Sequence, residues 1–480
     1  MKKHIKLAVL ITAALLTALC GCGDRQGKRV MKTLTWYYIN DSTAAGGSVF
    51  SAANDIIAEK MGIQVRFEPI RSEEYSKKMQ LKASAAEKFD LAFTSDWAFN
   101  YRNNVQYGTF APIETLIDRY APKTRENVIQ KVWDGITVNS HIYAVPNYQV
   151  SFRQAAIVIK KELADKYNLK GMIDSAQCMA DFTPVLQVIR DNEPGIVPTI
   201  VTPQVWSGTF GDDTFYTEKP LDGVPVGVDL YENVADLTKD PYKEQTIKNS
   251  ELSRLWQKNG FYSPDSDIRT DYTAEKRAGK IFMFDDVYKP GLEVDMQTRY
   301  GYPVYVKPVG VPQLSNSSAS AALTAVSRTC TDKVTAVKLI ELLNTDKKLY
   351  NLLVYGIEGR DYKKVSKDTV KILSNRSYSA NAWVMGSQFN AYFIEGQKNT
   401  IWEETKKLNA AARTNSLLGK ELDISAVKQN IARIEALYSD YDVGAALRGE
   451  NSAEILERFY SDIQGDVNAV CEEIRKQIAK

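Results

Sequence analysis

The chain has 480 residues, 44% of them apolar and 25% charged, with 61 Lys+Arg against 59 Asp+Glu. That length allows two or three domains with substantial cores, and a formal charge of +2 favours neither nucleic acid nor any other polyanion. Without Lys2, Lys3 and Lys6 of the leader described next, 58 basic residues face 59 acidic ones, a net charge of −1 over the 459 residues from Cys22 onward.

Those three lysines precede an uncharged run, 7–19, of Leu, Ala, Val, Ile and Thr, followed by small residues. This is the layout of a secretory signal, and it is too short to span a membrane. Cys20 and Cys22 follow it. C-x-C spacing is poor for a disulfide or a metal, which leaves incidental leader cysteines or lipidation. In "LCGC", Leu19 lies three positions before Cys22 and Gly21 just before it, resembling a bacterial lipobox. Leu19 is too large to flank a cleaved bond before Cys20, so Cys22 is the candidate for lipidation by diacylglyceryl and fatty acyl (palmitate-type) chains. Each buried methylene adds about 0.8 kcal/mol of membrane affinity, and more than one chain makes the anchor durable. The expected division is a signal peptide over 1–21 and a lipid-bearing tether over 22–31. Cys178, Cys330 and Cys471 are too few and too scattered for a disulfide framework.

Strand and helix then alternate. "KTLTWYYIN" (32–40) predicts a strand. Val49, Ala53, Ile56, Ile57 and Met61 recur at helical spacing up to Gly62. "IQVRFE" (63–68) predicts a second strand. Ser72 is placed to cap a helix whose first turn holds Glu73 and Glu74, and "KFDLAF" (88–93) predicts a third strand. This order implies a parallel sheet, with ligands beyond the carboxyl ends of its strands. There the chain turns polar and aromatic: "YYINDS" after the first strand, "TSDWAFNYRNNVQYG" after the third. Trp97 and Tyr101, four apart, could instead form one inward helix face.

A strand then a helix are predicted over 153–169, a helix, a glycine and a strand over 274–286, and a strand over 318–330 before a helix starting near Asp332. So many strands imply two α/β lobes. Leu456, Phe459, Ile463, Val467, Val470, Ile474 and Ile478 make one helical stripe at the end of the chain.

His4 leaves with the leader and His141 stands alone, which leaves no basis for Ser-His-Asp, Cys-His or His-rich metal chemistry. No P-loop, G-x-S-x-G or EF-hand pattern occurs. "FDD" (284–286) is the nearest approach to a carboxylate pair, and strand-end polar residues or ligand acceptors are the simpler reading. No catalytic residue, metal or cofactor is expected.

The order of these pieces resembles a known family, the extracellular solute-binding lipoproteins of bacterial ABC importers, in the sugar-binding, maltose-binding-protein-like branch. The residues that carry the likeness are "LTWYYIND" with "AEKMGIQVRFEPI", then "FDLAFTSDWAFNYRNNVQYGTFAPIETLIDRYAP" (89–122), "IYAVPNYQ" (142–149), "GKIFMF" (279–284) and "KLIELLNTDKKLYNLLVYGIEGRDYKKV" (338–365). The last looks like the larger lipoproteins of this family that carry an extra C-terminal domain of unknown function. The resemblance implies an α/β, two-lobed periplasmic-binding-protein-like fold with interlobe hinge crossings and a helical C-terminal extension. It implies lobe 1 over 32–150 plus 317–375, lobe 2 over 151–316 plus 376–411, and the extension over 412–480.

It also implies a lipid-anchored, extracytoplasmic monomer that captures a carbohydrate, an oligosaccharide, in the cleft and presents it to the membrane subunits of an ABC permease, without nucleic acid as partner. A peptide or other polar solute is the alternative ligand, and a surface carbohydrate-active enzyme with paired carboxylates the alternative activity. Carried over by motif position, the ligand-binding candidates are Tyr37, Tyr38, Asn40 and Asp41 after the first strand, and Ser95, Asp96, Trp97 and Asn100 after the third. Asp285, Asp286 and Tyr288 follow "GKIFMF" on the second lobe, and Trp383, Tyr148 and Trp206 complete the set. The residue types suit a sugar: flat rings cover its C–H face, and Asp, Asn and Gln take its hydroxyls at about 1.5–3 kcal/mol per charged bond.

Overall fold

The structure, a computed structural model, describes residues 31–42, 46–211, 213–221, 223–263, 271–449 and 452–479. The expected signal peptide, Cys22 and most of the tether lie outside them. Strand β1 (Lys32–Ile39) is rich in β-branched and aromatic residues, Thr33, Thr35, Trp36, Tyr37, Tyr38 and Ile39. Helix Gly47–Met61 buries Val49, Ala53, Ile56 and Ile57 and stops at Gly62, whose φ of +66° suits glycine. β2 (Ile63–Ile70) and β3 (Leu91–Thr94) flank β1 in parallel. Further along come β4 (Ala144–Pro146), β5 (Arg153–Lys160), β6 (Val197–Thr199), β7 (Thr217–Glu218), β8 (Val226–Asp229), β9 (Val234–Asp236), β10 (Ile281–Val287), β11 (Val304–Gln313) and β12 (Leu323–Val326).

They form a first sheet in the order β2-β1-β3-β12-β4, a second in the order β11-β5-β10-β6, and a small third one, β7-β8-β9. The chain leaves the first sheet after β4 and returns to it at β12, so residues 147–152 and 314–322 cross between lobes. Asn409 pins the outward crossing: its Oδ1 accepts from Ser151 N at 2.9 Å and its Nδ2 donates to Gln149 O at 2.7 Å. The return is pinned by Leu314 N donating to Arg413 O at 2.8 Å and Arg413 N to Pro312 O at 3.0 Å.

Both main sheets are covered on both faces. Ile157 and Ile159 of β5 enter one core with Phe182 and Trp256, while Ala156 and Val158 enter another with Phe284 and Met296. This is the period-two alternation of a strand buried on both sides. The first sheet's core holds Trp36, Phe93, Trp133 and Tyr350.

Three expectations are corrected. Of residues 376–411, assigned above to the second lobe, the first part packs on the first lobe: Val384, Met385 and Ala391 are buried in its core, Trp383 and Phe389 lie against it, and Tyr350 Oη donates to Ala382 O at 2.9 Å. Further on, Trp402 still lies against that core while Gln397 Nε2 donates to Asp295 Oδ1 at 2.9 Å on the second lobe. Ser72 opens helix Ser72–Ser84 without capping it, and its backbone N–H donates to Asp41 Oδ1 at 2.8 Å. The strand predicted over 318–330 is shorter, β12, preceded by the helical turn Asn316–Ala319.

The C-terminal stripe folds as helix Ser452–Ile478, with Leu456, Phe459, Ile463, Val467, Val470 and Ile474 buried. They face Val224, Val226 and Val228. The C-terminal module therefore includes the small sheet inserted within the second lobe's sequence, which sequence reasoning did not anticipate. Cys178, Cys330 and Cys471 are free thiols. Among the described residues no helix is long and apolar enough to cross a membrane, and no cluster of three or more His, Cys, Asp or Glu is suited to a metal.

Candidate functional site

The site is built at the carboxyl end of β3. Thr94 Oγ1 donates to Phe99 O at 2.5 Å and Ala98 N donates to Ser95 Oγ at 2.8 Å, which folds residues 94–99 into a tight turn. The turn throws Trp97 outward, 51% exposed, with its Nε1 donating to Ala321 O at 3.0 Å. Trp383, on the turn Ala382–Val384, stands beside it with ring centroids 5.7 Å apart at 65°. Both rings lean on buried Phe93, at 6.0 and 5.4 Å. Three residues after Trp383, Gly386 has φ +115°. A Cβ there would lie 2.5 Å from Leu343 O, so the turn is moulded onto the first lobe's backbone.

Across the cleft, Arg153 opens β5, Asp286 and Val287 end β10, and Lys289, Leu292 and Arg299 follow. Gln149, Val150 and Phe152 of the crossing form the floor, and together these groups enclose about 290 Å³. Arg299 lies 3.6 Å from Asp286, and Lys289 is paired with Asp295. Two indoles, an amide, a carboxylate and guanidinium groups in one interlobe space suit a polar ligand with a flat apolar face.

Of the predicted residues, this geometry brings together Trp97, Asp286 and Trp383. The others are placed elsewhere. Tyr37 and Tyr38 are core residues of a doubly covered sheet: Tyr37 packs edge-on against Phe89, and Tyr38 lies 4.9 Å from Trp36, where burial pushes its hydroxyl well above the usual tyrosine range. Asn40 is buried, accepting from Ser42 N and donating to Ser379 O, and Asp41 binds the start of helix Ser72–Ser84. Ser95 is consumed by its own turn. Asn100 caps helix Tyr101–Gln106, accepting from Asn103 N at 3.0 Å. Tyr148 is buried against Phe389 at 4.9 Å. Trp206 covers Gly310 and lines a separate cavity with Cys178 and Leu252. Asp285 is exposed, and strand alternation turns it to the face opposite Asp286. Tyr288 is half-buried against the cores of both lobes, and burial raises its pKa.

Gln149, Arg153, Lys289 and Arg299 were missed. Their signal was adjacency to the crossing "NYQVSFRQ" and to the end of β10, which acquires meaning only once the two sheets are known.

Asp96 faces away from the indoles. Its Oδ2 accepts from Ser317 Oγ, and its buried Oδ1 has no donor. Behind this contact lies a second cavity of about 390 Å³, between the first lobe and the C-terminal module. Glu218 of β7 lines it, and burial pushes its carboxyl up to about 7 despite a hydrogen bond with Asn415. The folded state thus holds this proton more tightly than the unfolded chain, whose ordinary value is 4.5. The resulting destabilisation is absent well below pH 4.5, grows through the window, and is complete above about 7. Glu218→Gln is therefore expected to raise the melting temperature at pH 8 and leave it unchanged near pH 4. Equal shifts at both pH values would show that the carboxylate is not the cause.

No protein-family model matches the chain. Over 99% of its length it is 24% identical to a carbohydrate ABC transporter substrate-binding protein of Streptococcus pneumoniae, covering 97% of that protein. Among solved structures it superposes on the N-glycan transport solute binding protein NgtS of the same species, with TM-score 0.81, 22% identity, and 93% and 98% of the two chains covered. NgtS in complex with Man1GlcNAc and with Man5GlcNAc gives 0.76 and 0.72, with the same identity and coverage. The two-lobed fold of solute-binding proteins expected from the sequence is the fold observed, and the likeness runs through the C-terminal module.

Proposed function

We infer that this chain, a two-lobed solute-binding protein by fold and by whole-length likeness, is the substrate-binding component of an ABC importer. It captures a carbohydrate, an oligosaccharide, between its lobes and presents it to the permease. The observation that carries this reading is the Trp97–Trp383 pair facing Asp286 and Arg299 across the cleft. The indoles belong to one lobe and the charged groups to the other, so closure about the crossings buries a sugar between both sets. The likeness to a carbohydrate ABC transporter substrate-binding protein supports it, as do the two glycan complexes of NgtS.

The protein binds without turning its ligand over: Asp285 and Asp286, the nearest approach to a carboxylate pair, face opposite sides of β10. It is a monomer held outside the cytoplasm by lipid on Cys22. The test is titration of intrinsic tryptophan fluorescence with neutral oligosaccharides, followed by recovery of the glycan. A saturable change with the glycan returned intact is expected. A glycan returned cleaved would make the protein an enzyme, and a response to peptides alone would move it to the alternative ligand class.

A further inference from the structure

We propose that the cavity behind Asp96 is a second sugar subsite, built jointly by the first lobe and the C-terminal module, which takes the outer hexose units of an oligosaccharide anchored at Trp97 and Trp383. The proposal rests on the sugar-binding reading above and assigns the module a part in recognition.

Four observations carry it. The cleft proper encloses about 290 Å³, at the lower edge of the roughly 300–1,000 Å³ usual for small-ligand sites, so a glycan of several units must continue beyond it. The second cavity, about 390 Å³, shares its wall: Asp96, Ser317 and Ser320 line one side, and their neighbours Trp97, Ser318 and Ala321 line the other.

The cavity is also held in shape from both flanks. Asn316 donates from Nδ2 to Leu417 O at 2.9 Å and to Lys420 O at 3.0 Å, and its Oδ1 accepts from Gly419 N at 2.7 Å. Arg102 bridges Glu421 at 2.7 Å and Gly135 O at 2.9 Å. One of these ties reaches Leu417, a buried residue of the module's own core, so the cavity's far wall is fixed to that core.

Finally, the lining has the chemistry of a polyol site. Asn103 and Gln106 are exposed amides on the first lobe, Glu218 and Glu421 are acceptors on the opposite wall, and Ile424 offers an apolar surface that is 37% exposed. Asp96 lines this cavity and its buried Oδ1 has no donor; a ligand hydroxyl would supply what it lacks as the carboxylate turns.

The experiment is calorimetric titration of the chain from Gly23 onward with neutral glycans paired by length, beginning with Man1GlcNAc and Man5GlcNAc. Wild type is compared with the double variant Asn103→Ala/Gln106→Ala and with Trp97→Ala. Both amides are exposed, so the double variant tests recognition without loss of core packing. Wild type is expected to bind a long glycan at least about tenfold more tightly than its short partner. The double variant should lose that gain and bind the short glycan as wild type does, while Trp97→Ala should weaken both. A wild type indifferent to length, or a double variant equal to wild type with every glycan, would overturn the second subsite while leaving the cleft reading intact. Failure of every glycan to bind wild type would overturn the sugar-binding reading itself.

Discussion

Trp97→Ala is expected to weaken glycan binding by at least about 30-fold, roughly 2 kcal/mol, with little loss of stability. The asymmetry follows from position. The ring is half exposed, and its hydrogen bond to Ala321 O lies at the cleft surface, so the folded protein loses little burial when it is removed. A bound sugar loses one of two flat walls, and Trp383 loses the neighbour that holds its ring at 65°. Trp383→Ala should be comparably damaging to binding and costlier to the fold, because that ring packs against the first lobe's core. Unchanged affinity in Trp97→Ala, measured by calorimetry, would remove the indole pair from the site.

Gly386→Ala is expected to produce the largest loss of stability of any single methyl addition near the cleft, about 3 kcal/mol or more. Two costs add. An L-residue at φ +115° is strained, by about 1–2 kcal/mol in the left-handed region, and the new Cβ would press on a backbone carbonyl, Leu343 O, which has no flexible end to move aside. Relief requires the turn carrying Trp383 to shift, so ligand affinity should fall as well. Gly62→Ala provides the comparison: its φ is also positive, at +66°, but nothing lies within 4 Å of the added carbon, and a loss of about 1 kcal/mol is expected. Equal melting temperatures for the two variants would show that the backbone clash contributes nothing.

The lobe architecture was legible because it rests on periodicities. The β1 run, the helix that ends at Gly62 and the stripe from Leu456 to Ile474 each announce an element and its buried face. What failed was partnership between distant segments. Residues 376–411 have no long element of their own until Ile401–Ala411, and only the first lobe's helices, through Tyr350 and Asn351, show where they pack. The β7-β8-β9 sheet was invisible for the same reason, since its strands are short and its core comes from a helix more than two hundred residues away.

Within the site, motif position located the right loops but not the right side chains. Tyr37 and Tyr38 look like cleft aromatics until both faces of the first sheet are covered. Asn40, Asp41, Ser95 and Asn100 have the residue types of sugar ligands, and the structure uses them instead to satisfy turns and helix starts, the commonest task of short polar side chains. Trp97, Asp286 and Trp383 line one space because a tight turn, a strand end and a positive-φ glycine bring them there.

The most direct test of the central claim is thermal melting of the chain from Gly23 onward against a panel of neutral oligosaccharides. A ligand that binds the folded form stabilises it by about 2.7 kcal/mol at a hundredfold excess over its dissociation constant. A rise in melting temperature is expected with at least one glycan in wild type, and a rise several times smaller with that glycan at the same concentration in Trp97→Ala. An equal rise in both proteins, or a rise with peptides and with no sugar, would contradict it.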